Sequence, residues 1–130
     1  MNVSRRVLVI DDDAAIRLSI SILLGAKGYV VSSGVDGADG YVQFLEHRPA
    51  IVISDMIMPG HQGIETIGKI RALDPKVPIV AMSGSIQGGP SSFLERAREA
   101  GADHYLEKPF EAGELLALLS RIEADFDEES

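Results

Sequence analysis

Three carboxylates in a row, Asp11, Asp12 and Asp13, follow the apolar run Val7-Leu8-Val9-Ile10 in VLVIDDDAAIR. Asp55 closes a similar run in IVISDMIMPG, Ser83 follows another in VAMSGS, and Lys108 stands in YLEKPF. Unpaired like charges within a few ångströms of one another are costly in a partly desolvated place, and a divalent cation between them resolves the conflict. A few hard oxygen ligands, with no imidazole or thiolate at ligand spacing, suit Mg²⁺, which keeps several waters and bridges carboxylate and phosphate oxygens. A carboxylate held rigidly at a strand end can take a phosphoryl group as an acyl phosphate, given a metal and a cationic side chain to neutralise the developing charge. Lys108 supplies such a cation, and its bond to Pro109 can be cis, which would aim the ammonium back at the acids. Ser83 offers a hydroxyl to a phosphoryl oxygen. Plainer alternatives stand beside each. Asp12 or Asp13 can cap a helix, and for Asp13 the cap is the stronger expectation. Ser83 alone fits a turn, and Lys108 alone fits a solvated surface. The combination points to phosphoryl chemistry.

Those residues need a frame that delivers them to one place. Short β-rich runs alternate with helical patterns along the whole chain, as in stacked βαβ units around a parallel sheet. Strands are expected at 7–10, 29–32, 51–54, 79–82 and 104–106. Between them, Ile16, Ile20, Leu23 and Leu24 make one apolar helical face, with Gly25 and Gly28 marking its end. Ala38, Tyr41, Val42 and Leu45 make a second, ended by Pro49; Ile64, Ile67, Ile70 and Leu73 make a third, ended by Pro75. Phe93, Leu94, Ala97 and Ala100 make a shorter fourth, and Leu115, Leu116, Leu118, Leu119 and Ile122 a fifth. In an open parallel sheet, ligands bind beyond the carboxyl ends of the strands, where the strand order reverses. Asp11, Asp12 and Asp13, then Asp55, Ser83 and Lys108, follow four separate strands and meet at that edge.

The 130 residues match one domain, expected to span 1–130 with its core at about 5–123 and a solvated acidic tail at 124–130. With 20 acidic against 12 basic side chains the net charge is -8, which argues against nucleic acid or anionic lipid as a partner. No cysteine is present, so disulfides, thiolate metal sites and a cysteine nucleophile are excluded, and a cytoplasmic setting is expected. The apolar run after Arg5 and Arg6 is too short for an export signal or a membrane span. His47, His61 and His104 lack metal-ligand spacing and are expected at the surface.

From VLVIDDD through ISDMIMPG and AMSGS to YLEKPF, the chain resembles the receiver domain of two-component response regulators over essentially its whole length. The resemblance implies a flavodoxin-like, doubly wound α/β fold, (βα)5, with a five-stranded parallel sheet in the order 2-1-3-4-5. It implies that Asp55 accepts a phosphoryl group from a sensor histidine kinase or a histidine phosphotransfer protein, with Mg²⁺ required. Asp11 and Asp12 would hold the metal with Asp55, and the backbone carbonyl of Ile57 would complete the shell. Lys108 takes the position of the family's lysine, Ser83 the switch position, and Tyr105 the aromatic position coupled to it. The output would be a changed surface read by a downstream target protein, with the chain a monomer or weak dimer. The apolar Ile57 side chain, flanking the path of an attacking water together with Ser85, implies slow hydrolysis of the acyl phosphate. Bottom-up, Tyr105 is equally a half-buried edge aromatic.

Two features depart from, or compete with, that picture. SGSIQGGPSSF, between the fourth strand and its helix, is longer than the family pattern, and Gly88-Gly89-Pro90 is expected to delay or shorten the fourth helix. Asp11 and Asp13 also read as the D-x-D of a haloacid-dehalogenase-type phosphatase, but that leaves Asp55 without a role and supplies no late acidic pair. A receiver used only as a phosphorylation-independent docking module is the other alternative. No helix-turn-helix or basic patch follows the last helix, and Met1 and the acidic end read as natural termini of a stand-alone unit.

Overall fold

Alternation along each apolar run builds one sheet with two covered faces. The computed structural model describes residues 5–56, 62–84 and 90–129. Ile57, His61, Ser85, Gly88 and Gly89 lie outside the described residues. In chain order the elements are β1 (Arg6–Ile10), α1 (Ala14–Ala26), β2 (Val30–Gly34), α2 (Gly37–His47), β3 (Ile51–Asp55), α3 (Gln62–Leu73), β4 (Ile79–Ser83), α4 (Pro90–Ala100), β5 (His104–Glu107) and α5 (Ala112–Glu129). All neighbouring strands pair in parallel, in the order β2-β1-β3-β4-β5. That is the expected doubly wound arrangement, and the order reverses between β1 and β3.

The central strands β3 and β4 are buried along their whole length, because helices cover both faces. Val7 and Val9 of β1, Ile51 and Ile53 of β3, and Val80 and Met82 of β4 pack with Ile20 and Leu24 of α1 and Leu115, Leu118, Leu119 and Ile122 of α5. The intervening Leu8, Ile10, Val52, Ile79 and Ala81 face the other way, onto Phe44 of α2, Ile67 and Ile70 of α3 and Ala97 of α4.

The second helix buries a different face from the one its hydropathy marks. Ala38 is exposed, Val42 and Leu45 are 47% and 43% exposed, and Tyr41 is only partly covered; Gly37, Gly40 and Phe44 face the sheet instead. Close approach is the reason. A Cβ at Gly40 would lie 2.6 Å from Ile10 Cδ1 and 2.9 Å from its Cγ2, and one at Gly34 would lie 2.6 Å from Gly40 Cα. Gly40→Ala gains helix propensity of about 1 kcal/mol but must displace a fully buried isoleucine beside the acidic turn, at about 1–3 kcal/mol. A net loss of stability is therefore expected in a urea melt, and a gain would show that α2 can move away from β1.

Two further expectations are corrected. Pro90, expected with Gly88 and Gly89 to disturb the start of the fourth helix, is itself the residue that opens α4, as proline can at a first helical position, where its missing N–H has no partner to lose. The segment 124–129, expected as part of a solvated acidic tail at 124–130, continues α5 as helix, with Ala124 and Asp125 exposed. Just before them, Glu123 pairs with Arg5 (Nε to Oε1, 3.4 Å), and the Arg5 guanidinium sits 4.8 Å over the Tyr29 ring. Burial, and next the Glu123 charge, hold the Tyr29 hydroxyl above its ordinary pKa. No helix among the described residues is long and apolar enough to cross a membrane.

Candidate functional site

Strand register brings the polar groups together at the carboxyl edge. Ile10 pairs with Ser54, so the next residues, Asp11 and Asp55, sit side by side across the point where the strand order reverses. Asp55 pairs with Met82, which sets Ser83 one step beyond it on β4. The Lys108 N–H donates to the Ser83 carbonyl at 2.8 Å, placing the lysine at the end of β5. The Lys108–Pro109 bond is cis.

Asp11 is fully buried, Asp55 is 5% exposed, Ser83 is buried and Asp12 is open to solvent. One carboxylate oxygen each from Asp11, Asp12 and Asp55 lie within 4.8 Å of one another, a set that could hold a metal ion. Lys108 Nζ lies 2.7 Å from Asp11 Oδ2 and 3.4 Å from Asp55 Oδ2, so an ammonium joins the two buried acids. Burial alone would lower the Lys108 pKa. The hydrogen bond to Asp11 and the charges of Asp55 and Asp11 outweigh burial and hold it above the ordinary value.

The remaining expected residues divide. Asp13 is the N-cap of α1, its Oδ1 accepting from the N–H groups of Ala15 at 2.9 Å and Ile16 at 3.4 Å. Its Oδ1 is thereby turned to the helix, and Asp13 is not among the acids whose oxygens converge on the candidate metal site. Tyr105 is 48% exposed on the edge strand β5. Ile57, named for its carbonyl, lies outside the described residues.

Hydropathy and motif both passed over two residues. Arg17 Nη1 donates to the Asp11 carbonyl at 2.6 Å. Its signal was a lone cation one turn after the third aspartate, on the helix that Asp13 caps. Gly63, in the first turn of α3, comes so close to the end of β3 that a Cβ there would lie 2.1 Å from the Asp55 carbonyl oxygen and 2.7 Å from that of Met56. Any larger residue at 63 would have to displace the backbone of Asp55 itself.

The family model described as "Response regulator receiver domain" matches residues 7–120. This chain belongs to the response regulator receiver domain family. Among curated relatives, the receiver is 39% identical over 116 residues to "Transcriptional regulatory protein PrrA" of Mycobacterium tuberculosis, covering 88% of this chain and 48% of that protein. It is 36% identical over 131 residues to "Response regulator MprA" of Mycobacterium ulcerans, covering 96% and 54%. The chain thus spans about half the length of the curated relatives it matches. Among solved structures, chemotaxis response regulator CheY4 of Vibrio cholerae is 29% identical with a TM-score of 0.81, covering 90% of this chain and 97% of that one. A CheY-like receiver domain protein of Methanospirillum hungatei is 25% identical with a TM-score of 0.87, covering 96% and 98%. The receiver identity and the doubly wound fold read from the motifs are both upheld.

Proposed function

We propose that this receiver accepts a phosphoryl group on Asp55 from the phosphohistidine of a sensor histidine kinase or histidine phosphotransfer protein, and passes the signal on as a changed protein-binding surface. The observation that carries this is the buried Asp55 carboxylate with Lys108 Nζ at 3.4 Å and the Asp11 and Asp12 oxygens within 4.8 Å. A carboxylate oxygen of Asp55 attacks phosphorus while the phosphorus–nitrogen bond to the donor imidazole breaks. Mg²⁺, held by Asp11, Asp12 and Asp55, would offset the charge on the phosphoryl oxygens. Ile57 is assigned the further backbone ligand by resemblance. Lys108 moves its hydrogen bond from a carboxylate to a phosphoryl oxygen, and the Ser83 hydroxyl donates to another. Tyr105, exposed beforehand, turns inward as Ser83 shifts, reshaping the face of α4, β5 and α5. The protein acts on itself rather than as a turnover enzyme, and hydrolysis of its acyl phosphate is slow. The setting is cytoplasmic, the chain a monomer or weak dimer, and the output a downstream target protein; neither nucleic acid nor membrane is a partner of this domain.

Intact mass after incubation with acetyl phosphate tests this, with and without Mg²⁺ and with Asp55→Asn. One metal-dependent phosphoryl adduct, absent from the variant, is expected. A folded protein with no adduct under any condition would point to a docking module. Turnover of acetyl phosphate that survives Asp55→Asn would point to a phosphatase centred on Asp11.

A further inference from the structure

Arg17 is the sole charged residue of α1, and it is turned inward onto the acidic turn rather than left on the solvent face. Asp11 is tied through four groups. Its N–H donates to the Gly34 carbonyl at 3.2 Å, and its Oδ1 accepts from the Asp13 N–H at 2.9 Å. Its Oδ2 accepts from Lys108 at 2.7 Å, and its carbonyl accepts from Arg17 at 2.6 Å. That carbonyl belongs to the planar peptide joining Asp11 to Asp12, so whatever fixes its direction also fixes where the Asp12 side chain starts. Asp13 is fixed at both ends, by its capping bonds to α1 and by its N–H to Asp11 Oδ1, which leaves the Asp11–Asp12 peptide as the piece the guanidinium orients.

We infer that Arg17 is a positioning residue: its hydrogen bond to the Asp11 carbonyl sets the Asp11–Asp12 peptide plane and keeps the Asp12 carboxylate converged with those of Asp11 and Asp55 for cation binding. This rests on the cation site proposed above. Two consequences of removing the side chain have opposite signs. Loss of a positive charge near the site, acting through space alone, strengthens Mg²⁺ binding. Loss of the orienting hydrogen bond weakens it, and supporting partners of metal ligands typically matter about tenfold or more.

Isothermal titration with Mg²⁺ at fixed ionic strength separates them, with folding checked by far-UV circular dichroism. Arg17→Met is expected to weaken binding about tenfold. Arg17→Lys keeps the charge and one donor and is expected to show a smaller loss in the same direction, so the sign is readable even if the methionine variant does not fold. With Asp12→Asn already in place, the Arg17 substitution is expected to cost no further affinity, because the ligand it orients is gone. Unchanged or tighter binding in whichever variant folds, or a full additional loss in the Asp12→Asn background, overturns the inference. Absence of Mg²⁺ binding by the unsubstituted protein would instead overturn the cation site itself.

Discussion

Lys108→Met is expected to slow phosphorylation of Asp55 by about a hundredfold or more while tightening the hold on Mg²⁺. Loss of a single donor aimed at developing charge has effects of about this size. Lys108 Nζ is the ammonium that joins Asp55 to Asp11. The metal moves the other way because a competing cation, 2.7 Å from an Asp11 oxygen, has gone. Without metal, the fully buried Asp11 loses its partner, and breaking a buried pair from one side costs about 3–5 kcal/mol. The time course of the mass adduct, with a parallel Mg²⁺ titration, checks both halves; near-native phosphorylation would sink the role assigned to the lysine. Because the ammonium pKa is raised in the folded state, its stabilising contribution is fully present below the ordinary lysine value of 10.5. It is lost only as pH climbs through the higher folded value, so stability from this pair is constant across neutral pH.

A comparable shift should follow from adding Mg²⁺ to the unsubstituted protein. At a hundred times its dissociation constant a ligand that binds only the folded state adds about 2.7 kcal/mol, several degrees in melting temperature for a chain of this size. Asp12→Asn should reduce that shift without lowering stability in metal-free solution, because Asp11 and Asp55 remain to bind more weakly, while Asp12 is solvent-exposed and its charge repels those two acids. Thermal melts with Mg²⁺ against potassium at matched ionic strength distinguish ligation from screening. An undiminished shift in the variant would remove Asp12 from the ligand set.

The strands were legible because a buried parallel strand must be an apolar run, and the acids that converge at the sheet edge stand at or just beyond the ends of such runs. What escaped had little hydropathy to show. β2 continues through Ser33 and Gly34, residues with little strand preference, because Val9 and Ile10 of β1 supply the partners. The buried face of α2 is carried partly by glycines, which contribute nothing to an apolar pattern yet permit the closest packing. Residues 124–129 look like a tail by charge, but they continue a helix already anchored by Leu118, Leu119 and Ile122. Arg17 was passed over because its contact is to a backbone carbonyl, which no side-chain motif encodes, so its position one turn after Asp13 was the sole signal.

The sheet that carries Asp11 and Asp55 is also a partition. Leu8 and Val9 are neighbours in sequence yet belong to separate packing communities, whereas Val9 and Leu119 belong to one. Side chains that share no partners act nearly independently on stability, while those that touch do not. Changes under α1 and α5 are therefore free to accumulate without requiring matching changes under α2, α3 and α4. The two halves of the interior can drift apart over evolutionary time, held in common only by the strand backbones whose ends present the acids.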